Sequence, residues 1–275
     1  MRIKNHKHRA FLKWAGGKYG LIEDIRAKLP DADKLVEPFV GAGSVFLNTD
    51  YPSYLLNDIN VDLINLYQII QTQYESYIED AEALFCPENN QQERYYALRQ
   101  EFNSATDLYQ RAVIFLYLNR HGYNGLCRYN QSGGYNVPFG RYQKPYFPKK
   151  ELYFFAEKAQ RATFTCQPFL QSFSRARKGS VIYCDPPYAP IGSSAYFTQY
   201  ASDGFSLQEQ ENLAQAAARA AARGISVLIS NHDTALTRQL YQLASLTELQ
   251  VSRTISQDAA NREKVGELLA LFKAS

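Results

Sequence analysis

Four consecutive residues, Asp185-Pro186-Pro187-Tyr188, follow an apolar run over 180–184 that is typical of a buried strand. A structural turn would use the aspartate as a cap and one proline as a stop, but it needs neither the second proline nor the aromatic ring. Methylation of an exocyclic aromatic amine, by contrast, needs acceptors for both amine protons, because the nitrogen lone pair is otherwise delocalised into the ring. Asp185 can supply one acceptor and the carbonyl of Pro186 the other, while Tyr188 can stack on the ring. The motif therefore predicts a site that alkylates a planar nitrogen.

A glycine-rich segment lies at the end of the apolar run at 34–39, and an acidic residue follows the apolar run at 54–56. The segment is Glu37-Pro-Phe39-Val-Gly41-Ala-Gly43-Ser44, and the acid is Asp58. Glycines let the backbone approach a ligand closely, and a carboxylate can accept both hydroxyls of a ribose. An ordinary tight turn explains the glycines alone about equally well, and an ordinary helix cap explains the aspartate alone about equally well. The two features in this order indicate a nucleoside cofactor. Phe46 stands where a dinucleotide fingerprint has its third glycine, so a nucleoside without a pyrophosphate, such as S-adenosylmethionine, fits.

Strand-like runs alternate with helical patterns along the chain. The runs at 34–39, 54–56, 163–166, 180–184 and 225–230 predict strands, and the patterns at 61–85, 91–103, 107–120 and 207–223 predict helices. The segments 246–255 and 265–272 predict a closing antiparallel hairpin. This alternation predicts an α/β fold with a mainly parallel, doubly wound sheet, in which ligands lie at the carboxyl ends of the strands.

Residues 121–148 are rich in Gly, Asn, Tyr and Pro and interrupt this alternation. The segment is too long for an ordinary connection of an α/β fold, and too aromatic for a disordered one. We therefore predict an inserted recognition domain over 57–144, made of helices and a β-hairpin loop, within a catalytic domain over 1–56 and 145–275.

Charge is distributed unevenly although the net charge is only +3. Residues 1–22 contain six Lys/Arg and residues 111–150 contain seven, and neither stretch contains an acid. Such stretches indicate a basic face that meets a polyanion, although a solvated basic surface is the ordinary alternative. No apolar run reaches the ~20 residues of a membrane span. Four cysteines without a C-x-x-C pair favour a reducing cytoplasm and argue against a zinc site, so no metal is expected.

Together with Phe11-Leu-Lys-Trp-Ala-Gly-Gly-Lys18, these motifs resemble those of the Dam-type DNA adenine N6-methyltransferases, which are GATC-specific. The order of cofactor motif, recognition region and catalytic motif is that of the α group. The resemblance spans nearly the whole chain and includes 118–130 and 136–142. It implies a Rossmann-like fold, S-adenosylmethionine as the methyl donor and double-stranded DNA as the substrate. Replication, mismatch repair and restriction-modification are the settings such enzymes serve, and the sequence does not choose among them.

The resemblance also implies residue roles. The methyl donor would be bound by Trp14, Ala15, Gly16, Lys18, Glu37, Phe39, Gly41, Gly43, Ser44, Asp58 and Asp185. The target adenine would be flipped from the duplex onto Tyr188, next to Asp185, Pro186 and Pro187. Lys13 and Arg128 would read guanine edges, Leu126 and Pro138 the thymine methyl group, and Tyr123 would wedge into the stack. The remaining DNA contacts would be Arg99, Asn119, Asn124, Gly125, Asn130, Asn136, Arg141 and Tyr142.

Two other functions are open from the motifs alone. A D-P-P-Y motif suits any planar nitrogen, so an RNA base or a protein glutamine is an alternative substrate, and a DNA-binding regulator without catalysis is another alternative. Cytosine-ring methylation is disfavoured, because it needs a cysteine nucleophile after a proline, and the chain has only Cys86-Pro87 in the reverse order. We expect a monomer in a bacterial or phage setting, with loops at 189–204 and 256–262 that are mobile without DNA.

Overall fold

The computed structural model describes residues 7–188, 205–251 and 265–275. Within these ranges seven strands form one sheet: β1 (Lys34–Glu37), β2 (Ser53–Asn57), β3 (Ala162–Thr165), β4 (Ser180–Cys184), β5 (Ser226–His232), β6 (Ser245–Val251) and β7 (Val265–Phe272). Their order is β3-β2-β1-β4-β5-β7-β6. β1 is parallel to β2 and β4, β4 is parallel to β5, and β7 is antiparallel to both β5 and β6. The mainly parallel sheet with an antiparallel carboxyl-terminal pair is confirmed.

The longer predicted helices are present within two residues of their predicted ends. The helices are α1 (Ile22–Lys28), α2 (Ser44–Asn48), α3 (Val61–Ala83, broken at Gln73), α4 (Gln92–Ser104), α5 (Leu108–His121), α6 (Lys149–Ala159), α7 (Phe169–Arg175), α8 (Leu207–Ala222) and α9 (Ala235–Leu240). Side-chain caps explain four of the starts: Asn60 accepts from Leu63 N, Asp107 from Gln110 N, Ser206 from Glu209 N and Thr234 from Thr237 N. None of the helices in these ranges is both long and apolar enough to cross a bilayer.

The chain divides into two compact units. Unit 1 comprises Met1–Ile22, Val40–Asp50 and Asp58–Cys166, and unit 2 comprises Glu23–Phe39, Tyr51–Asn57 and Gln167–Ser275. In unit 2, the alanine-rich face of α8 packs on the sheet, where Leu213, Ala217 and Ala220 are buried with Ile182 and Val227. Small side chains let the helix lie close to the strands. The predicted domain boundaries at 57 and 144 stay a prediction.

Unit 1 has a strongly aromatic core. Tyr67 on α3 lies 4.7 Å from Phe155 on α6, measured between ring centroids, and the apolar stretch of α5 is buried almost throughout. The irregular segment is ordered on this core, because Tyr135 and Val137 are fully buried and two antiparallel bridges join Gly122 to Phe139 and Tyr129 to Tyr135. The helical and loop insertion is thus packed structure. The loops predicted to be mobile, 189–204 and 256–262, lie outside the described residues.

Candidate functional site

The DPPY turn, residues 185–188, begins directly after β4 in unit 2. Strand order reverses between β1 and β4, which is where an open parallel sheet forms a ligand crevice at its carboxyl edge. The register pairs Val36 with Ile182 and Cys184 with Ile229, so Glu37 and Asp185 both lie at that edge. Asp185 and Tyr188 are half-buried, Pro186 is buried and Pro187 is exposed. The predicted catalytic motif therefore stands where the fold places ligands.

Two side chains outside the motif hold the ring of Tyr188. Its hydroxyl donates to Oε1 of Glu267, and its ring meets the ring of His232 edge to face at 4.6 Å. Glu267 and His232 face each other in the register of β7 and β5, and both are buried. Burial, followed by the charges of Asp185 and Glu267, raises the pKa of Tyr188 well above its ordinary value. The hydroxyl therefore stays protonated and remains a donor to Glu267.

Phe39, one of the residues predicted for the methyl donor, lies in an aromatic cluster of unit 2. Phe39 is half-buried, stacks on Phe169 at 5.3 Å and meets Phe205 edge to face at 5.6 Å. Glu37, the last residue of β1, is buried. Phe169 and Phe205 were not among the predicted site residues, since single aromatic residues outside a motif give no signal in one sequence.

In unit 1, Asp58 fixes the glycine-rich turn. Oδ2 of Asp58 accepts from Gly41 N at 3.0 Å, and Oδ1 accepts from Asn60 N at 3.0 Å. Burial raises the pKa of Asp58, and the backbone donors, including Ile59, act in the opposite direction. Gly41 has φ +47°, and a Cβ there would lie 3.0 Å from Nε1 of Trp14. Only glycine fits this position without displacing the indole.

The other predicted cofactor residues of unit 1 surround that turn. Gly43 has φ +72° and precedes α2, which begins at Ser44. Lys18 is buried, and its Nζ donates to the carbonyl of Gly16 at 2.6 Å. Ala15 and Gly16 are exposed, and Trp14 and Ser44 are half-buried.

The fully buried side-chain amide of Asn119 holds Lys13 next to the irregular segment 121–148, which we call the recognition loop. Asn119 accepts from Lys13 N at 2.9 Å, and its Nδ2 donates to the carbonyl of Lys13 at 2.8 Å. Nζ of Lys13 lies 4.0 Å from the ring centroid of Tyr142. Burial and then the charge of Arg120 lower the pKa of Lys13. Asn119 is predicted to contact DNA; its side chain is fully buried and binds the backbone of Lys13, and the DNA contact stays a prediction.

The exposed part of the recognition loop carries most of the remaining predicted DNA contacts. Tyr123 is 47% exposed, and Asn124, Arg128, Asn130, Pro138 and Arg141 are also exposed. Asn124 has φ +53°, a conformation that asparagine tolerates well, and its N–H donates to the hydroxyl of Tyr142 at 3.0 Å. Asparagine here lets the chain turn sharply and keeps Tyr123 on the surface.

Some of the residues predicted to contact DNA form hydrogen bonds within the protein. Nε of Arg128 donates to Oδ1 of Asn136 at 2.7 Å, and NH1 of Arg99 donates to the carbonyl of Val137 at 3.0 Å. Leu126 is half-buried and Gly125 is buried. The guanidinium of Arg128 is thus oriented by Asn136, which is itself predicted to contact DNA.

The basic stretch over 111–150 is only partly a surface. Arg111 pairs with Oδ1 of Asp62 at 2.7 Å, and Oδ2 of the same carboxylate accepts from Tyr129 at 2.8 Å. Arg120 is buried, 5.3 Å from the ring centroid of Tyr146. Two of the seven cations counted from sequence are therefore structural, which charge counting could not reveal. The exposed ones are Arg128, Arg141, Lys144, Lys149 and Lys150.

Residues 14–255 match the model of the D12 class N6 adenine-specific DNA methyltransferases, and the chain belongs to this family. It is therefore a DNA adenine methyltransferase, and the RNA, protein-glutamine and non-catalytic alternatives are set aside. Among its relatives are proteins described as DNA adenine methylase. That of Vibrio cholerae serotype O1 (El Tor Inaba N16961) is 60% identical over 97% of this chain and 96% of its own length. Those of Salmonella typhimurium LT2 and Escherichia coli K12 are 59% and 58% identical over the same shares.

Proposed function

We propose that this enzyme transfers the methyl group of S-adenosylmethionine to N6 of adenine in double-stranded GATC, after flipping the base out of the duplex. The observation that carries this proposal is the DPPY turn, which leaves the carboxyl end of β4 with the ring of Tyr188 fixed by Glu267 and His232. A fixed aromatic face beside a carboxylate suits a planar base that presents an amine.

The residues of the turn divide the work on the amine. Asp185 would accept a hydrogen bond from one amine N–H and the carbonyl of Pro186 a hydrogen bond from the other. These two bonds localise the lone pair on the nitrogen. The proline rings fix φ at both positions, so this geometry needs little reorganisation. Tyr188 would stack on the extruded adenine and offset part of the unpairing cost of a few kcal/mol.

The residues predicted for the methyl donor fit a nucleoside. Only a glycine fits beside the indole of Trp14 at Gly41, and Asp58 offers a half-buried carboxylate fixed by backbone N–H groups. Trp14, Lys18, Phe39, Asp58 and Asp185 would hold S-adenosylmethionine, with further contacts from Ala15, Gly16, Glu37, Gly41, Gly43 and Ser44. When bound, it supplies an electrophilic methyl group, so the chain needs no nucleophile of its own.

We propose that Lys13 and the exposed residues of the recognition loop in unit 1 read the base sequence of the DNA. Lys13 and Arg128 would contact guanine edges, and Leu126 and Pro138 would contact the thymine methyl group, which are pairings that groove geometry favours. Tyr123 would fill the space left by the flipped base. The phosphates would be held by Asn124, Asn130, Asn136 and Arg141. Phosphate contacts fix the register of the enzyme on the duplex but do not read its sequence. We propose that the enzyme acts on DNA as a monomer in the cytoplasm of a bacterium; the relatives named above are bacterial proteins.

The test uses tritiated S-adenosylmethionine with duplexes that differ only at the central site. We expect the GATC duplex to become labelled and to become resistant to an endonuclease that adenine methylation blocks. A duplex in which 2-aminopurine replaces the adenine should not be labelled, because 2-aminopurine lacks the 6-amino group. Asp185→Ala should abolish transfer while duplex binding survives. Equal labelling of duplexes without GATC would refute the specificity, and an active Asp185→Ala variant would refute the assigned chemistry.

A further inference from the structure

Gln210 lies in the first turn of α8, directly after the capping box that starts this helix. Ser206 Oγ accepts from Glu209 N, and the carboxylate of Glu209 accepts from Ser206 N at 2.7 Å. Gln210 N donates to the carbonyl of Ser206 at 3.0 Å. The helix start is therefore fixed, and the side chain of Gln210 is only 2% exposed.

The amide of Gln210 joins the DPPY turn to the interior of unit 2. Its Nε2 donates to the carbonyl of Pro187 at 2.9 Å, and its Oε1 accepts from Nδ2 of Asn231 at 3.1 Å. Nδ2 of Asn231 also donates to the hydroxyl of Tyr241 at 3.0 Å. Asn231 and Tyr241 are fully buried. Because a carbonyl can only accept, the bond to Pro187 determines which way the Gln210 amide points.

We propose that Gln210 is a positioning residue for methyl transfer, which acts by fixing the carbonyl of Pro187 and thereby the neighbouring carbonyl of Pro186. The inference rests on the proposed function, in which the carbonyl of Pro186 accepts an amine proton. It adds a residue that lies in no motif and twenty-three positions beyond Pro187.

The covalent structure of the turn explains why one hydrogen bond is enough. Both prolines have φ fixed by their rings, so the ψ angles are the main remaining freedoms of the two peptides. Asp185 is anchored by β4, and Tyr188 is anchored by its bond to Glu267. Gln210 fixes the carbonyl between these anchors. Without that bond, the Pro186 peptide can rotate away from the amine while the ring of Tyr188 still accepts the flipped base.

The test compares Gln210→Met with Gln208→Met. The first replaces the amide by an apolar chain of similar length, and the second makes the same change at an exposed position of the same helix. Under single-turnover conditions with saturating GATC duplex and S-adenosylmethionine, we expect Gln210→Met to slow methyl transfer about 10- to 100-fold. DNA affinity and the fluorescence rise of a 2-aminopurine target should stay within about twofold of the parent, because a positioning role acts after flipping. Gln208→Met should match the parent.

A second pair of variants separates the hydrogen bond from packing. Gln210→His keeps one donor and one acceptor, and its Nε2 stands as far along the side chain as that of glutamine, so it should retain most of the rate. Gln210→Glu keeps the shape but loses the donor, so it should be slow, and it replaces Gln210→Met if that variant does not fold.

Three results would overturn the role of Gln210: a rate within twofold of the parent for the variants that lack the donor, an equally slow Gln210→His, or a loss of DNA binding that parallels the loss of rate. An inactive parent would instead refute the proposed function.

Discussion

A methyl group added at Gly125 gives the sharpest test of how the recognition loop is built. Gly125 has φ +63°, and a Cβ at this position would lie 2.2 Å from Cβ and 2.6 Å from Cδ of Lys13. Carbon atoms prefer a separation of about 3.5–4.0 Å, so Lys13 would have to move by more than about 1 Å. It cannot do so freely, because Asn119 binds both its N–H and its carbonyl.

The cost of Gly125→Ala follows from these contacts. The positive φ costs about 1 kcal/mol for an alanine. Overpacking adds about 1–3 kcal/mol, and loss of one hydrogen bond to Asn119 adds about 1 kcal/mol. We therefore expect the free energy of unfolding to fall by about 3–5 kcal/mol.

Gly133 provides the matched control in the same loop. Its φ is +79°, but a Cβ there would have no atom within 4 Å. Gly133→Ala should therefore cost only about 1 kcal/mol. Urea unfolding of the parent and both variants measures the difference. We also expect Gly125→Ala, but not Gly133→Ala, to lose selectivity at the guanine assigned to Lys13. Equal unfolding free energies for the two variants would refute the steric argument.

Three further predictions concern Glu267, His121 and Arg128. Glu267→Leu removes the acceptor of the Tyr188 hydroxyl and should slow turnover about tenfold or more, whereas Glu267→Gln should keep most of the rate; equal rates would contradict the role of this bond. Burial lowers the pKa of His121 to about 4, so its contribution to stability is full above its unfolded pKa of 6.5 and declines as pH falls toward 4. Between pH 6.5 and 5 this loss is about 2 kcal/mol, and urea titrations of His121→Gln should lack it; an unchanged pH slope would exclude His121 as the cause. Arg128→Ala should cost about 1–3 kcal/mol of discrimination at one guanine, measured with near-cognate duplexes, and undiminished selectivity would remove that contact.

The sequence predicts those parts of the fold whose signal is local. The sequence places the ends of α4, α5 and α8 within one residue. The buried faces of α4 and α8 repeat with the helical period, whereas α5 is an apolar run that is buried almost throughout. β1 ends two residues before its predicted end at 39, since Pro38 has no N–H to continue the ladder. The DPPY turn was expected at a strand end and is found there. The short helices α1, α2, α7 and α9 are too brief for a periodic pattern, and they form through tertiary packing.

Side-chain partnerships over long sequence separations were not predictable. Glu267 is 79 positions from Tyr188 in the chain, and nothing in either segment marks the pair. Asp62 looks like a helix-start acid, yet it binds Arg111 and Tyr129. Asn119 resembles a polar residue of a recognition motif, and only its burial shows that it supports Lys13. These roles depend on the packing of the whole unit, which one sequence does not encode in any local pattern.

The order of strands has a consequence for how unit 2 assembles. β7 lies between β5 and β6, although it follows β6 in the chain. A chain truncated before β7 would therefore leave β5 with an open edge and β6 without its partner strand. Glu267 lies on β7, so the ring of Tyr188 has this anchor only when β7 is paired with β5. We therefore expect a chain that lacks β7 to have no ordered Tyr188 ring and no methyl transfer.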